Sequence, residues 1–386
     1  MTDHPYRSAA DSAFWSRAVA TGFDASAVVD TPSFRLTQHD RFMSAGSCFA
    51  SNVRRYLERW GYSYTVTEQP HTQWPEGTET LYYEAFSARY GNIYTARQMS
   101  QLLLRATGGF APKEEYWSDA DGTLIDPFRP GLAHRAWSVE EFRALTDQHL
   151  RAVRAAVEQS TVLVFTLGLT EAWYSADDGA VFPACPGTVG GVFDPRRHRF
   201  VNLSVDDVVG DLEKMVETLR LMNPGLRLVL TVSPVPLVAT ASGRHVLTAT
   251  TYSKSVLRVA ADVVARQMEG VAYFPAFEIV TGAHNRSPFE DDLRSVREPV
   301  IAAVMEAFAS AFLADDVPVR SDVAPWGGSD DVGRTVAAAV DAECEEMMAD
   351  IPIGVSTVDG SGSEGVAGRG GYPAGILRRM ARRRNP

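Results

Sequence analysis

Five short apolar runs, separated by stretches of helical periodicity, constrain this chain more than any other feature. They lie at residues 40–46, 62–67, 160–168, 226–233 and 270–276. Strands that are apolar on both faces must be covered on both faces, and parallel neighbours need long crossovers, usually helical. The pattern therefore predicts an α/β fold: a three-layer sandwich around a five-stranded parallel sheet.

The helices between the runs carry their own start and stop signals. Ser138 and Glu141 stand at capping-box spacing, and Phe142, Leu145, His149 and Val153 follow on one helical face. Ser204 and Asp207 repeat the device before a helix that stops at Asn223 and Pro224. Residues 253–269 and 292–313 read as the helices flanking the fifth strand. Past residue 315 the composition shifts to Pro, Gly, Ser and Asp. Residues 1–315 are thus expected to form the main domain, 316–353 a helical appendage, and 354–386 a flexible Gly/Ser-rich linker with a basic tail. The tail interleaves Arg378, Arg379, Arg382, Arg383 and Arg384 with Ile376, Leu377 and Met380, a pattern suited to weak contact with an anionic membrane surface.

Charge and cysteine usage exclude several classes. A formal net charge of -11 argues against nucleic acid as a main partner, because phosphate binding needs a basic face. Cys48, Cys185 and Cys344 are too scattered for a disulfide framework or a paired-ligand zinc site, so no metal or other cofactor is implied. The N-terminal segment lacks the charged start and apolar core of a signal peptide, and a reducing, cytoplasmic setting is the expectation.

The chemistry is expected at the joint after the first strand, where the apolar run stops at Gly46, presents Ser47 and Cys48, and becomes a helix. Ligands of open parallel sheets bind beyond the carboxyl ends of the strands. A helix starting there points unpaired N–H groups and a positive dipole end toward whatever lies before Ser47. Taken alone, Ser47 reads first as the cap of that helix, the commonest role of a serine at a helix start.

A longer series of segments resembles the GSCFA family, named for the motif that stands here as Gly46-Ser47-Cys48-Phe49-Ala50. The resemblance runs through residues 90–98, 165–173, 231–237, 251–258 and 273–280, and covers roughly residues 5 to 315. It implies a branch of the SGNH or GDSL hydrolases, with a serine nucleophile after the first strand of a flavodoxin-like three-layer sandwich. In such enzymes the serine's own N–H, a glycine of a second block and an asparagine of a third form the oxyanion hole. By resemblance Gly91 and Asn92 stand for the second block, with Gly168, Thr170 and Glu171 at the third. Thr170 occupies the asparagine position, and Glu171 is read as orienting that loop.

The last block departs from the pattern. SGNH enzymes carry Asp-x-x-His there, whereas this chain has Asp292-Leu293-Arg294-Ser295. With Asp292 retained as the acid, the histidine must come from elsewhere: His245, preferred, in the loop after the fourth strand, or His284, after the fifth. Laying the GSC of this chain over GDS makes Cys48 a rival nucleophile, since a thiol at a helix start is acidified by the dipole. Arg89, Arg97 and Arg129 are candidates to hold an anionic substrate group, with ordinary ion pairing as the alternative. Lys254 is notable as one of three lysines in the chain. The resulting expectation is a serine esterase or O-acyltransferase acting on acyl, typically acetyl, esters of a carbohydrate. The alternative is a non-catalytic carbohydrate-binding or assembly protein that keeps the fold.

Overall fold

In the computed structural model, residues 4–47, 50–69, 86–119, 121–132 and 135–314 are described. Cys48, Cys344, the appendage at 316–353 and the basic tail lie outside them. Along the chain, α1 (Trp15–Ala18) precedes β1 (Arg41–Gly46), α2 (Ser51–Arg59), β2 (Ser63–Tyr64) and α3 (Ala96–Ala106). A small hairpin, β3 (Trp117–Ser118) and β4 (Leu124–Ile125), leads to α4 (Val139–Gln159) and β5 (Val162–Leu167). Next come β6 (Glu171–Ser175), β7 (Val181–Phe182), β8 (His198–Asn202), α5 (Val205–Met222), β9 (Arg227–Val232) and α6 (Val246–Gln267). The chain continues through β10 (Val271–Phe274), α7 (Ala276–Thr281) and α8 (Glu298–Phe312).

The main sheet has the order β10-β9-β5-β1-β2, and every neighbouring pair is parallel. Numbered by their order in the chain, these strands run 2-1-3-4-5, the flavodoxin-like arrangement, whose topological switch point lies between β1 and β5. Alternate residues feed opposite layers. Met43, Ala45, Leu163, Phe165, Leu228 and Leu230 pack beneath α3, α4, α5 and α6. Phe42, Val162, Val164, Val229 and Phe274 pack against α2, α7 and α8. All five sheet strands fall within the apolar runs.

Three features depart from the sequence expectation. The helix before the fifth strand begins at Val246 rather than 253, which turns His245 from a loop residue into its N-cap. The helix after it begins at Glu298, with Pro299 in its first turn, so residues 292–295 form a separate turn. Helix α3 and the antiparallel sheet β7-β6-β8 lie outside the sequence expectation, the sheet because its short strands leave little periodicity to read.

A buried polar network ties the segment around residues 86–93 to α4. Glu68 accepts from the Arg89 N–H at 2.7 Å and meets His149 Nδ1 at 2.7 Å. Arg129 Nη1 stands 3.7 Å from the other Glu68 oxygen, donates to the Arg89 carbonyl at 3.1 Å, and its Nε donates to Asp126 at 2.8 Å. Burial alone would raise the Glu68 carboxyl, but His149, the Arg129 charge and the Arg89 N–H outweigh it and lower the group to about 2. His149 thus sits on the buried face that its spacing indicated, as the partner of a carboxylate.

A group depressed in the folded state stabilises fully above its unfolded pKa and ceases to do so as pH falls through the folded one. For Glu68 that window runs from 4.5 down to about 2. Urea denaturation followed across it should show a falling midpoint in the native chain, and Glu68→Gln should flatten that slope while lowering stability at neutral pH. An unchanged slope in the variant would show that Glu68 does not contribute it.

Candidate active site

Gly46 ends β1 with φ 137°, and a Cβ placed on it would overlap the Thr166 carbonyl. Only glycine allows β1 to run this close to β5 at the switch point. The Ser47 N–H donates to Thr166 O at 3.1 Å, and the Ser47 carbonyl accepts from Ala50 N at 2.8 Å. The residue is 3% exposed, and its Oγ has no hydrogen-bond partner. The N-cap position of α2 belongs to Ala50, and Ser47 Oγ caps nothing. A buried serine hydroxyl without a partner is costly unless something else is meant to occupy the space in front of it.

Two backbone hydrogen bonds gather the motif segments around this serine. Ile93 N donates to Gly46 O at 2.8 Å, which lays Gly91 and Asn92 across the end of β1. Gly91 turns with φ 63°, and Asn92 is 3% exposed. Gly168 N donates to Tyr94 O at 2.9 Å, bringing the end of β5 to the same point. A Cβ on Gly168 would stand 3.0 Å from the Tyr94 ring and 3.3 Å from Ser47 Cβ, so this glycine is in packing contact with the candidate nucleophile. The Thr95–Gln98 capping box at the start of α3 holds this crossing, since Gln98 Oε1 also accepts from Tyr94 N at 3.0 Å.

Helix α6 closes the site from the other side. Lys254, 3% exposed, donates from Nζ to Gly168 O at 2.6 Å, and Ser253 Oγ accepts from Thr170 N at 2.9 Å. Lys254 stood out in the sequence by rarity alone. Its burial within an otherwise apolar helix face, together with Ser253, is the signal that the 251–258 segment carried.

Several expected roles meet a different geometry. Thr170 is fully buried and its hydroxyl donates to Asn202 Oδ1 at 2.6 Å, so its one hydrogen is committed to β8 rather than presented to an oxyanion. The Ser47 N–H is likewise engaged by Thr166. Glu171 holds the loop after β9, accepting from Thr240 Oγ1 at 2.5 Å and from Ala241 N at 3.2 Å. That loop ends at His245, which is exposed and accepts the Leu247 N–H on Nδ1 at 3.2 Å. Asp292 is exposed and bonds within its own turn, to Ser295 Oγ at 2.5 Å and to the Arg294 and Ser295 N–H groups. No hydrogen bond joins Asp292 to His245, or either of them to Ser47. His284 stacks on Phe23, and burial lowers its pKa. Arg97 pairs with Asp211 and Asp207 on α5, and Arg129 is buried with Asp126 and Glu68. Among the described residues no His, Cys, Asp or Glu group is arranged to hold a metal ion, and no helix is long and apolar enough to cross a membrane.

A flavodoxin-like sandwich with a buried serine at its switch point is the frame on which this chain is built. The chain belongs to the GSCFA family, whose match spans residues 41–308. Among solved structures it is similar to a family 3 carbohydrate esterase from Talaromyces cellulolyticus, at 9% identity and a TM-score of 0.34, over 70% of this chain and 94% of that one. The family 3 carbohydrate esterase of Clostridium thermocellum is similar at 9% identity and a TM-score of 0.32, over 78% of this chain and 100% of its own. No curated protein matches the chain in sequence.

Gly46→Ala should lower unfolding free energy by about 2–5 kcal/mol, because it combines a positive φ with a clash against β5 backbone. Gly61, also at positive φ but with open space around it, should cost about 1–2 kcal/mol on the same change. Equal losses at both positions, read from denaturant midpoints, would show that the β1–β5 approach is not tight.

Proposed function

We propose that this chain is an acyl-ester hydrolase or O-acyltransferase in which Ser47 takes the acyl group. One observation carries this reading: Ser47 Oγ is buried and unpartnered, and the residue lies at the carboxyl edge of the sheet where three motif segments meet. Attack by Oγ forms a tetrahedral intermediate whose oxyanion needs donors. With the Ser47 N–H and the Thr170 hydroxyl engaged elsewhere, the Gly91–Asn92 segment is the proposed source. Thr170 acts by fixing β5 to β8 and α6. Lys254, bonded to the carbonyl of the glycine that touches Ser47, supplies a positive charge that favours negative charge developing nearby.

His245 is the proposed proton acceptor. Its Nδ1 is engaged at the start of α6, so Nε2 is the nitrogen left to act, carried by a loop that Glu171 anchors. Asp292 takes no part in this scheme, since its carboxylate is occupied by its own turn. Sugar O-acetyl groups are the substrate class that the family resemblance suggests. Water or a sugar hydroxyl would resolve the acyl-enzyme, giving hydrolysis or transfer. A second reading, a non-catalytic carbohydrate-binding protein, is favoured by one fact: no imidazole is hydrogen-bonded to Ser47 Oγ.

Turnover of acetyl esters, including acetylated oligosaccharides, tests the proposal. Ser47→Ala should lower kcat/KM by at least about a thousandfold, whereas Lys254→Met should lower it about ten- to thousandfold, as for loss of one electrostatic stabiliser. His245→Ala should match the serine variant; full activity in it would move the base elsewhere while leaving the nucleophile in place. No turnover by the native chain, together with binding of the acetylated sugar, would support the second reading instead.

A further inference from the structure

Bordered by Tyr90 and Ile93, on either side of Gly91–Asn92 in the chain, a small cleft between α3, α4 and the loop before α4 holds two polar groups that nothing in the site described above uses. The first is His149 Nε2. The residue is 1% exposed, its Nδ1 is taken by Glu68 at 2.7 Å, and Nε2 has no hydrogen-bond partner. Glu68 is ionised and can only accept, so His149 carries its proton on Nδ1 and turns the Nε2 lone pair toward the cleft. Burial first, and the Arg129 charge second, keep the imidazole below its ordinary range and so neutral.

The second is the Arg105 guanidinium, 8% exposed and stacked 4.1 Å over the Phe128 ring. It has no hydrogen-bond acceptor among the described residues. Asp126 acts on it as an opposite charge, yet its carboxylate accepts from Arg129 Nε at 2.8 Å and from Phe128 N at 2.9 Å and does not bond Arg105. Arg105 and His149 line the same cleft, together with Arg129 and the mainly apolar Tyr90, Ile93 and Leu102. Leaving a guanidinium and an imidazole nitrogen unmatched at this depth costs free energy on both, and a ligand carrying the complementary groups would recover it.

We infer that this cleft binds a small free oxyanion that also carries an O–H group, with hydrogen phosphate as its simplest member. The ionised oxygens meet the Arg105 fork, and the hydroxyl donates to His149 Nε2. Ser47 is not among the residues lining this cleft, and the inference does not depend on the proposed reaction.

Calorimetric titration of the full chain with inorganic phosphate near neutral pH tests it, with glycolate, acetate and sulfate as comparisons. Phosphate and glycolate should bind saturably at one site. Acetate and sulfate, which lack a hydroxyl donor at that pH, should bind about tenfold or more weakly. Arg105→Met, checked for unchanged helicity, should weaken phosphate by about ten- to hundredfold, and Arg105→Lys should restore part of the affinity. Lys254→Met should leave it unchanged. Four results would each overturn the assignment: no saturable phosphate binding, which would leave water as the occupant; sulfate binding as tightly as phosphate; undiminished affinity in Arg105→Met; or loss of binding in Lys254→Met alone, which would put the ion beside Ser47.

Discussion

The close approach of β1 to β5 at Gly46 is the constraint on which the rest depends. Because residue 46 has no side chain, the strand continues past its last sheet residue, and Ser47 N bonds Thr166 O. Ser47 is thereby held at the switch point with its Oγ outside the sheet's hydrogen bonding. The carbonyl of Gly46 remains available to Ile93, and Gly168, following β5, presses against Ser47 Cβ without displacing it. Three glycine-containing segments therefore meet at one point because backbone must pack against backbone there.

Around that point the polar groups are arranged in two tiers. Lys254, Ser253, Thr170 and Asn202 form one tier, connecting α6 and β8 to the end of β5. Glu68, His149, Arg129 and Asp126 form the other, beneath the segment that leads into Gly91. Such buried networks fix positions more than they add stability, since desolvation of the charges offsets much of their attraction. Their effect here is to leave few alternatives for the loops that face Ser47.

Most of the fold was legible in the sequence because it is written in periodicities. The runs at 40–46, 160–168 and 226–233 are apolar on both faces, as central parallel strands must be, and Ser138 and Ser204 cap α4 and α5 where their spacing indicated. What was not legible depended on long-range contacts. Nothing local reveals that α6 starts at Val246 and takes His245 as its cap, or that Asp292 closes a turn on Ser295. The Thr170 hydroxyl was expected near the oxyanion, but its partner Asn202 lies 32 residues along the chain, beyond the reach of any local pattern. Lys254 was visible as a rarity, and its contact with Gly168 emerged only with the packing of α6.

The most direct measurement of Ser47's role is covalent. A fluorophosphonate probe reacts with an activated serine and leaves an inert hydroxyl untouched, and tryptic mapping reads the modified residue within the peptide spanning 42–54. A single adduct per chain on Ser47, absent in Ser47→Ala and suppressed by an acetyl-ester substrate, is the result expected of the proposed nucleophile. An unmodified chain, or an adduct on any other residue with Ser47 intact, would contradict it.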